Sequence, residues 1–327
     1  MTLNRAVMTV MIRILLCAAT TTVAAQGEWP SKPINIIVPY SAGGAADIVT
    51  RIIANELSLQ LKQSVVVENK PGGNSNIAAN LVARAQPDGN TLLLTGPWLL
   101  INQFLETGRR WTPEQLIPVA RVGVSDNILV VPANSPAKTL EQYIQMAKTA
   151  KDKPLQYGSP GFGSTQRMAV EMLAKAADIR LEAVQYTGAP PIIPDLVTGR
   201  VSMAILAAAN VTGLVKDGKL RALATASDKR SPDTPEIPTI IETGLNNVEA
   251  ISWFGLGAPA GTPSDRIKKI SDSIQSVLSK PEVKKQLLSA DTRIAFLNTK
   301  DFEAYLEEEK TRWGEVAGSI TTKEKQQ

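Results

Sequence analysis

The fold of this chain is decided by the stretch INIIVPYSAGGAAD, residues 34–47. Its first five residues are mostly β-branched and predict a strand at Ile34–Val38. Glycine-rich residues 39–44 follow, and apolar residues at helical spacing then continue through Val49, Ile53 and Leu57. A strand that passes through glycines into a helix is typical of a βα unit, and the free N–H groups in the first turn of such a helix favour an anion.

The same alternation recurs along the chain. Further strands are predicted at residues 65–67, 91–95, 128–131, 155–157, 182–185, 201–205, 220–225 and 251–258, with helices at residues 76–84, 139–150 and 263–278. Thr139 and Gln142 form a capping box for the second of these helices. The pattern predicts the α/β class with mainly parallel sheets.

The strands fall into two groups, which predict two lobes. Residues 26–126 and 253–327 would form a discontinuous lobe 1, and residues 127–252 an inserted lobe 2. Because the chain would cross twice between the lobes, the crossings predict a hinge.

The first residues have the order of a secretory signal peptide. Arg5 and Arg13 precede an apolar run at residues 14–19 and small residues at 20–25, which predicts cleavage near Ala25. A membrane anchor is the alternative, but the run is far shorter than the roughly 20 residues that span a bilayer. A lipoprotein signal at Cys17 is disfavoured by the bulky residue before it.

Missing residue types exclude much chemistry. The chain has no histidine, and cleavage near Ala25 would remove Cys17, its single cysteine. Ser-His-Asp and Cys-His catalysis and His or Cys zinc sites are therefore excluded. Calcium-loop, nucleophile-elbow and phosphate-loop motifs are also absent. The net charge of +4 becomes +2 without Arg5 and Arg13, and the charges are interspersed, so no nucleic-acid surface is predicted.

Two strand-to-helix junctions are the main candidates for a ligand site, since ligands of open α/β sheets lie beyond the carboxyl ends of the strands. The alternative for each is an ordinary tight turn. The candidates are Tyr40, Ser41, Ala42, Gly43 and Gly44 in the first junction, and Ser159, Gly163, Ser164 and Thr165 in the second. The hydroxyls of Ser164 and Thr165 could cap the helix or bind a carboxylate.

Further candidates lie near other strand ends. Asp47 could contact a polar ligand group or complement the helix dipole. The remaining candidates, for which core packing or a plain turn is the alternative, are Gly73, Asn74, Trp98, Tyr186 and Gly188.

Short sequence blocks carry a family resemblance over nearly the whole predicted mature chain. They are WPSKPI (residues 29–34), VPY (38–40) followed by Gly43, Gly44, Asp47 and Arg51, VENKPG (67–72), PDGNT (87–91), YTG (186–188), GKLRALA (218–224) and APAGTP (258–263). In this order the blocks resemble the extracytoplasmic receptors of tripartite tricarboxylate transporters, also called the Bug family.

The resemblance implies a type 2 periplasmic-binding-protein fold, in which two lobes close on a ligand and deliver it to a membrane permease. Family ligands are di- and tricarboxylates, acidic amino acids and aromatic acids. The implied site grips the carboxylate with backbone amides and hydroxyls from residues 40–44 and 159–165, helped by residues 186–188.

Two departures from the family pattern bear on the ligand. Arg167 stands where the family usually has histidine, and we favour a solvated helix face over a cationic clamp for it. Ser202 stands where the family usually has aspartate, and this loss would disfavour a ligand with an amino group if Ser202 faces the cleft.

We therefore expect a periplasmic receptor that is not an enzyme, acts as a monomer and uses no cofactor. Its expected partners are a small carboxylate and the permease of a tripartite tricarboxylate-type transporter, with no nucleic acid. The alternatives are a ligand sensor for a signalling partner, or a hydrolase or lyase that uses carboxylates such as Asp47.

Overall fold

A computed structural model of the protein describes residues 29–106, 108–150 and 153–324. The predicted signal peptide lies outside the described residues. Residues 29–31 belong to a unit separate from the rest of the described chain, and a cis peptide bond joins Trp29 to Pro30. The unit that begins at Lys32 contains every strand and helix described below.

The strands of the described residues form two sheets. The first has the order β11-β4-β10-β3-β1-β2 and the second β7-β6-β8-β5-β9. The strands are β1 (Ile34–Val38), β2 (Val65–Asn69), β3 (Thr91–Thr95), β4 (Leu116–Ser125), β5 (Asn127–Pro132), β6 (Leu155–Ser159), β7 (Leu181–Gln185), β8 (Met203–Ala207), β9 (Leu220–Thr225), β10 (Ser252–Pro259) and β11 (Arg293–Leu297).

Helices connect most of these strands. They are α1 (Ala45–Leu61), α2 (Asn76–Ala83), α3 (Trp98–Leu105), α4 (Leu140–Thr149), α5 (Thr165–Ala177), α6 (Ile192–Val197), α7 (Ala208–Lys216), α8 (Ser264–Ser279), α9 (Pro281–Ser289) and α10 (Thr299–Glu324). Among the described helices, none has both the length and the apolar character needed to cross a bilayer.

The prediction of mainly parallel sheets was wrong, because both sheets are mixed. β1 pairs in parallel with β2 and β3, but β10 runs antiparallel to β3 and β4. In the second sheet β6 is parallel to β7 and β8, whereas β5 is antiparallel to β8 and β9. β5 and β10 are the strands by which the chain enters each sheet after leaving the other. Each runs antiparallel to its neighbour, so β5 begins beside the carboxyl end of β8 and β10 begins beside the carboxyl end of β3.

Two buried strands of the first sheet show why these sequences form strands. β1 and β3 are nearly continuous apolar runs, and Ile36 and Leu93 are fully buried. Such runs suit strands that are covered on both faces. Burying each large aliphatic side chain contributes about 1.5–3 kcal/mol to folding, and this burial fixes the strand ends from which the functional loops project.

The chain changes sheets at two places. Asp126 separates β4 of the first sheet from β5 of the second, and residues 226–251 lead from β9 back to β10. Arg293 of β11 binds Asp126 through both guanidinium NH2 groups, at 2.5 and 2.9 Å. Burial of the Asp126 side chain makes this pair a fixed support for the first crossing.

Candidate functional site

A cavity lies where the strand ends of the two sheets face each other. The space open to the centre of a water molecule is about 60 Å³. The first sheet and its helices contribute Tyr40, Gly44, Ala45, Ala46, Leu94, Thr95, Gly96, Pro97, Trp98, Ser252, Trp253 and Phe254. The second sheet and its helices contribute Pro160, Thr165, Gln166, Ala189, Pro190, Leu206, Ala207 and Asn210.

Helix amino termini are the main electrostatic feature of this cavity. Residues of the first turn or cap of α1, α3, α5 and α7 all line it. The first N–H groups of a helix have no partner inside the helix and carry part of the positive end of its dipole. Two of these helices come from each sheet, so an anion in the cavity would be attracted from both sides.

Asn210 joins the two sides of the cavity. Its Oδ1 accepts a hydrogen bond of 3.0 Å from the N–H of Ala45, the first residue of α1. A backbone N–H can only donate, so the carboxamide must turn its oxygen towards Ala45 and its NH2 group elsewhere.

Asp47 holds the loop of residues 39–44, which precedes α1, in its observed shape. Its Oδ2 accepts hydrogen bonds from Gly43 N at 2.9 Å and Arg51 Nε at 3.0 Å, and its Oδ1 accepts one from Asn69 Nδ2 at 3.0 Å. Burial raises the pKa of Asp47, but the hydrogen bonds from Arg51, Gly43 and Asn69 outweigh it and hold the pKa below its ordinary value of 3.8. Asp47 is buried and does not line the cavity, so its carboxylate fixes the loop shape.

The serine hydroxyls of the loop before α5, residues 159–164, form hydrogen bonds within that loop and to the first turn of α5. Ser164 caps α5 by accepting a hydrogen bond from Arg167 N at 3.2 Å, and it donates to Gly161 O at 2.7 Å. Ser159 also donates to Gly161 O, at 3.2 Å. Of the two roles left open by the sequence for Ser164, the structure shows the helix cap.

Polar side chains at the start of α5 bind one another. Gln166 Nε2 donates to Asn127 Oδ1 and to Ser252 Oγ, both at 2.9 Å. Ser252 also donates to Asn127 Oδ1 at 3.0 Å and lies 3.2 Å from Thr165 Oγ1. This network satisfies the Gln166 amide and the Ser252 hydroxyl, and it ties α5 to β5 and β10, the strands that follow the two crossings.

Several predicted residues join the two halves of the cavity instead of lining it. Ser41 Oγ donates to Thr187 O at 2.9 Å, and Ser41 N donates to the same oxygen at 3.2 Å. Gly188 lies against this contact, since a Cβ there would be 3.3 Å from Ser41 N. Asn74 Oδ1 accepts from Phe162 N at 3.2 Å and so connects the loop before α2 to the loop before α5.

Gly163 is required by close packing. A Cβ on this residue would lie 1.7 Å from Asn102 Oδ1. Ala42, Gly43 and Gly73 belong to the same loops but do not line the cavity, and Gly43 has a φ of +81° that suits glycine in the turn before α1.

Of the residues predicted from the sequence, Tyr40, Gly44, Trp98 and Thr165 line the cavity. Tyr186 does not, because its hydroxyl donates to Asp195 at 2.7 Å. Ser202 lies just before β8, at the end of the strand away from the cavity, where its hydroxyl donates to Gln156 O at 2.7 Å. The condition for its predicted effect on amino-group ligands, that it faces the cleft, is therefore not met.

Arg167 corrects another expectation. A solvated helix face was favoured, but the residue is only 9% exposed. Its guanidinium lies 4.0 Å from the centre of the Phe162 ring, and its Nε is 3.4 Å from Glu171 Oε1. The aromatic side chain of the preceding loop covers this face of α5, so Arg167 is a packing residue and not a lining one.

Leu206 and Asn210 are lining residues that the sequence reading missed. Leu206 lies at the carboxyl end of β8 and Asn210 in the first turn of α7, and the rule that ligands lie beyond the carboxyl ends of strands would have identified this junction. It lacks the paired glycines that marked the other two loops.

The cavity wall is neutral. Among the described residues that line it, none is Asp, Glu, Lys, Arg or His. In the described part of the chain, no cluster of acids, histidines or cysteines could hold a metal ion. Thr95 Oγ1 and Trp253 Nε1 are buried without a hydrogen-bond partner in the described residues, so the wall offers few uncommitted polar side chains.

Comparison with known proteins supplies the family. Residues 49–321 match the profile of the tripartite tricarboxylate transporter family receptors, TctC. The chain is 34% identical over 278 residues to the UPF0065 protein in the tcbD-tcbE intergenic region of Pseudomonas sp. (strain P51), covering 84% of this chain and 82% of that one.

Solved structures agree with this match. The periplasmic binding protein BugD is similar with a TM-score of 0.85 and 28% identity, over 90% of this chain and 99% of that chain. R. palustris Rpa4515 with adipate has a TM-score of 0.86 and 29% identity, over 90% and 99%. The fold is thus of the type 2 periplasmic-binding-protein class that the sequence predicted. The chain belongs to the tripartite tricarboxylate transporter receptor family, whose members are solute-binding proteins and not enzymes.

Proposed function

We propose that the protein captures a small carboxylate in the periplasm and delivers it to the permease of a tripartite tricarboxylate-type transporter. The observation that carries this proposal is the meeting of the amino termini of α1, α3, α5 and α7 at one neutral cavity. The R. palustris relative is named with adipate, which is a small carboxylate.

Backbone N–H groups would donate most of the hydrogen bonds to the ligand. Gly44 and Ala46 line the cavity at the start of α1, and Thr165 and Gln166 do so at the start of α5. A carboxylate accepts such N–H groups well, and hydrogen bonds strengthen where water is excluded. Because the two helices come from different sheets, a bound anion would stabilise the arrangement in which the sheets are close.

The proposal includes the organisation predicted from the sequence. Residues 26–126 and 253–327 form one lobe and residues 127–252 the other, with the crossings at Asp126 and after Ile251 as the hinge. Residues 1–25 direct export and are removed, and the mature receptor acts as a monomer. The sheet membership of the strands supports this division.

Gly44→Asp tests the anion site. A Cβ at Gly44 would meet the nearest atom, Pro190 Cδ, at an ordinary 3.4 Å, and Asp is a favourable residue at a helix N-cap. The folded state should therefore persist, while the new negative charge repels a carboxylate. We expect the variant to lose the thermal stabilisation that a panel of hexanoate, 4-methylbenzoate, malate and adipate gives to the purified wild type.

Gly44→Asn is the matched control, since it has the same size and the same capping ability without the charge. It should retain more ligand-induced stabilisation than Gly44→Asp. Full stabilisation of Gly44→Asp, or no stabilisation of the wild type by any member of the panel, would overturn the proposed function.

A further inference from the structure

Most of the side chains that face the cavity are apolar or already hydrogen-bonded. Leu94, Trp98, Leu206 and Phe254 form much of its wall, and none of the described lining residues is charged. Thr165, Gln166 and Ser252 bind one another, and Asn210 binds Ala45. Such a wall solvates a hydrocarbon or aromatic surface well and an ionic group poorly.

The donors that remain suffice for one carboxylate. They are the helix-start amides and three neutral side-chain groups: the NH2 group of Asn210, whose oxygen binds Ala45 N, and Thr95 Oγ1 and Trp253 Nε1, which are buried without a partner among the described residues. Some first-turn donors are already used, since Ala45 N binds Asn210 and Arg167 N binds Ser164. A second carboxylate would have to share this set of neutral donors with the first.

A second charge would also be repelled by the first. Two carboxylates on a short ligand would lie in the same cavity, between the same neutral walls. Like charges separated by roughly 7 Å repel strongly enough, at the effective dielectric constant of protein sites, to cost at least about tenfold in affinity. Among the described lining residues there is no cation to offset this repulsion.

We propose that this receptor selects a ligand with one carboxylate on an otherwise uncharged, mainly apolar body, and discriminates against dicarboxylates of the same shape. The inference rests on the proposed function and narrows it to a class of ligand. Leu206 is the selecting residue that we single out, because it is fully buried and faces the cavity from the end of β8.

Matched ligand pairs test the inference on the wild-type protein. Hexanoate and adipate have nearly the same length, as 4-methylbenzoate and terephthalate do, but each second member carries an additional carboxylate. Isothermal titration at neutral pH should give a dissociation constant at least about tenfold lower for the single acid of each pair that binds.

The variant Leu206→Lys adds the missing cation, and Leu206→Met is its neutral control of similar size. If Leu206→Lys folds, judged by circular dichroism, it should shift the preference towards the diacid, whereas Leu206→Met, which adds no charge, should still favour the single acid. If it does not fold, the ligand pairs decide alone.

The outcomes separate the two proposals. Binding of a diacid by the wild type as tightly as its single-acid partner overturns this inference and leaves the proposed function standing. Absence of binding for all four acids overturns this inference, and it overturns the proposed function as well if malate also fails to stabilise the wild type.

Discussion

At the scale of single residues, Asp47 shows how a charged group can serve a binding site without touching it. Its carboxylate collects donors from Gly43, Arg51 and Asn69, and Asn69 Nδ2 also donates to Tyr40 O at 3.0 Å. The loop before α1 is thereby held in shape before any ligand arrives. Preorganisation of this kind lowers the entropy lost on binding.

Asp47→Asn should lower the free energy of unfolding by about 2 kcal/mol at neutral pH, because an amide places an NH2 group against other donors. The pKa of Asp47 is depressed in the folded state, so its contribution is present above the ordinary value of 3.8 and is lost as the pH falls below it. The difference between wild type and variant in urea unfolding should therefore shrink towards low pH.

Asp272→Asn is the control for this prediction. Asp272 pairs with Lys268 on an exposed face of α8, and such pairs contribute less than about 1 kcal/mol. Equal effects of the two substitutions would show that Asp47 does not support the loop.

Residue roles were the least predictable part of the site. The sequence correctly marked the loop with Tyr40 and Gly44, since glycines and a following helix have a local signature. It could not show where hydroxyls point: Ser159 and Ser164 bind Gly161, and that choice depends on the loop conformation. Leu206 has no feature that separates a cavity wall from ordinary core.

At the scale of elements, the helix starts are the functional units, and their caps can be tested apart from ligand contact. Ser164→Ala removes the cap of α5 and should lower stability by about 1 kcal/mol. Because the Ser164 hydroxyl is directed to Gly161 and Arg167, we expect ligand affinity to change by less than about threefold, which corresponds to about 0.65 kcal/mol.

Thr139→Ala is the matched substitution at α4, which does not line the cavity. Thr139 accepts a hydrogen bond of 3.3 Å from Gln142 N, so the loss of stability should be similar. Chemical denaturation and titration calorimetry measure both quantities. A large loss of affinity in Ser164→Ala alone would assign the hydroxyl to the ligand after all.

Elements with uninterrupted patterns were predicted well, and those with mixed patterns were missed. The predicted bounds of β1, β3 and β9 agree with the structure, and the predicted cap of α4 at Thr139 is present. β4 was not predicted because Pro118 and Arg121 interrupt its apolar run. Arg121 fits there because its guanidinium lies 4.4 Å from the centre of the Tyr305 ring and its Nε donates to Ala295 O, contacts made only in the folded chain.

At the scale of the whole molecule, the order of strands in the sheets could not be predicted from the sequence. The strand grouping predicted two sets, but the pairing of β10 between β3 and β4 joins residues more than 120 positions apart along the chain. No local pattern encodes such a partner, and this is why the mixed sheets were not expected.

Contacts across the cavity mouth predict that closure can be locked. Ser41 Oγ and Thr187 Oγ1 lie 3.2 Å apart, and the chain has no cysteine except Cys17. The double variant Ser41→Cys and Thr187→Cys should therefore form a disulfide on oxidation. When it is oxidised without ligand, the uptake of ligand should slow strongly in stopped-flow measurements.

Reduction should restore the wild-type rate, and Ser41→Cys alone should show no dependence on oxidant. An oxidised double variant that binds ligand as fast as the reduced one would mean that the Ser41 and Thr187 loops need not separate for ligand entry.

The neutral wall of the cavity has one further consequence, which concerns acidity. Its described lining contains no acid, amine or imidazole, and burial raises the pKa of Tyr40 above its usual range. Capture of an anion would therefore exchange no protons with the wall. The affinity of such a receptor for its ligand should not change with pH until the pH reaches the range in which the carboxyl group of the ligand itself titrates.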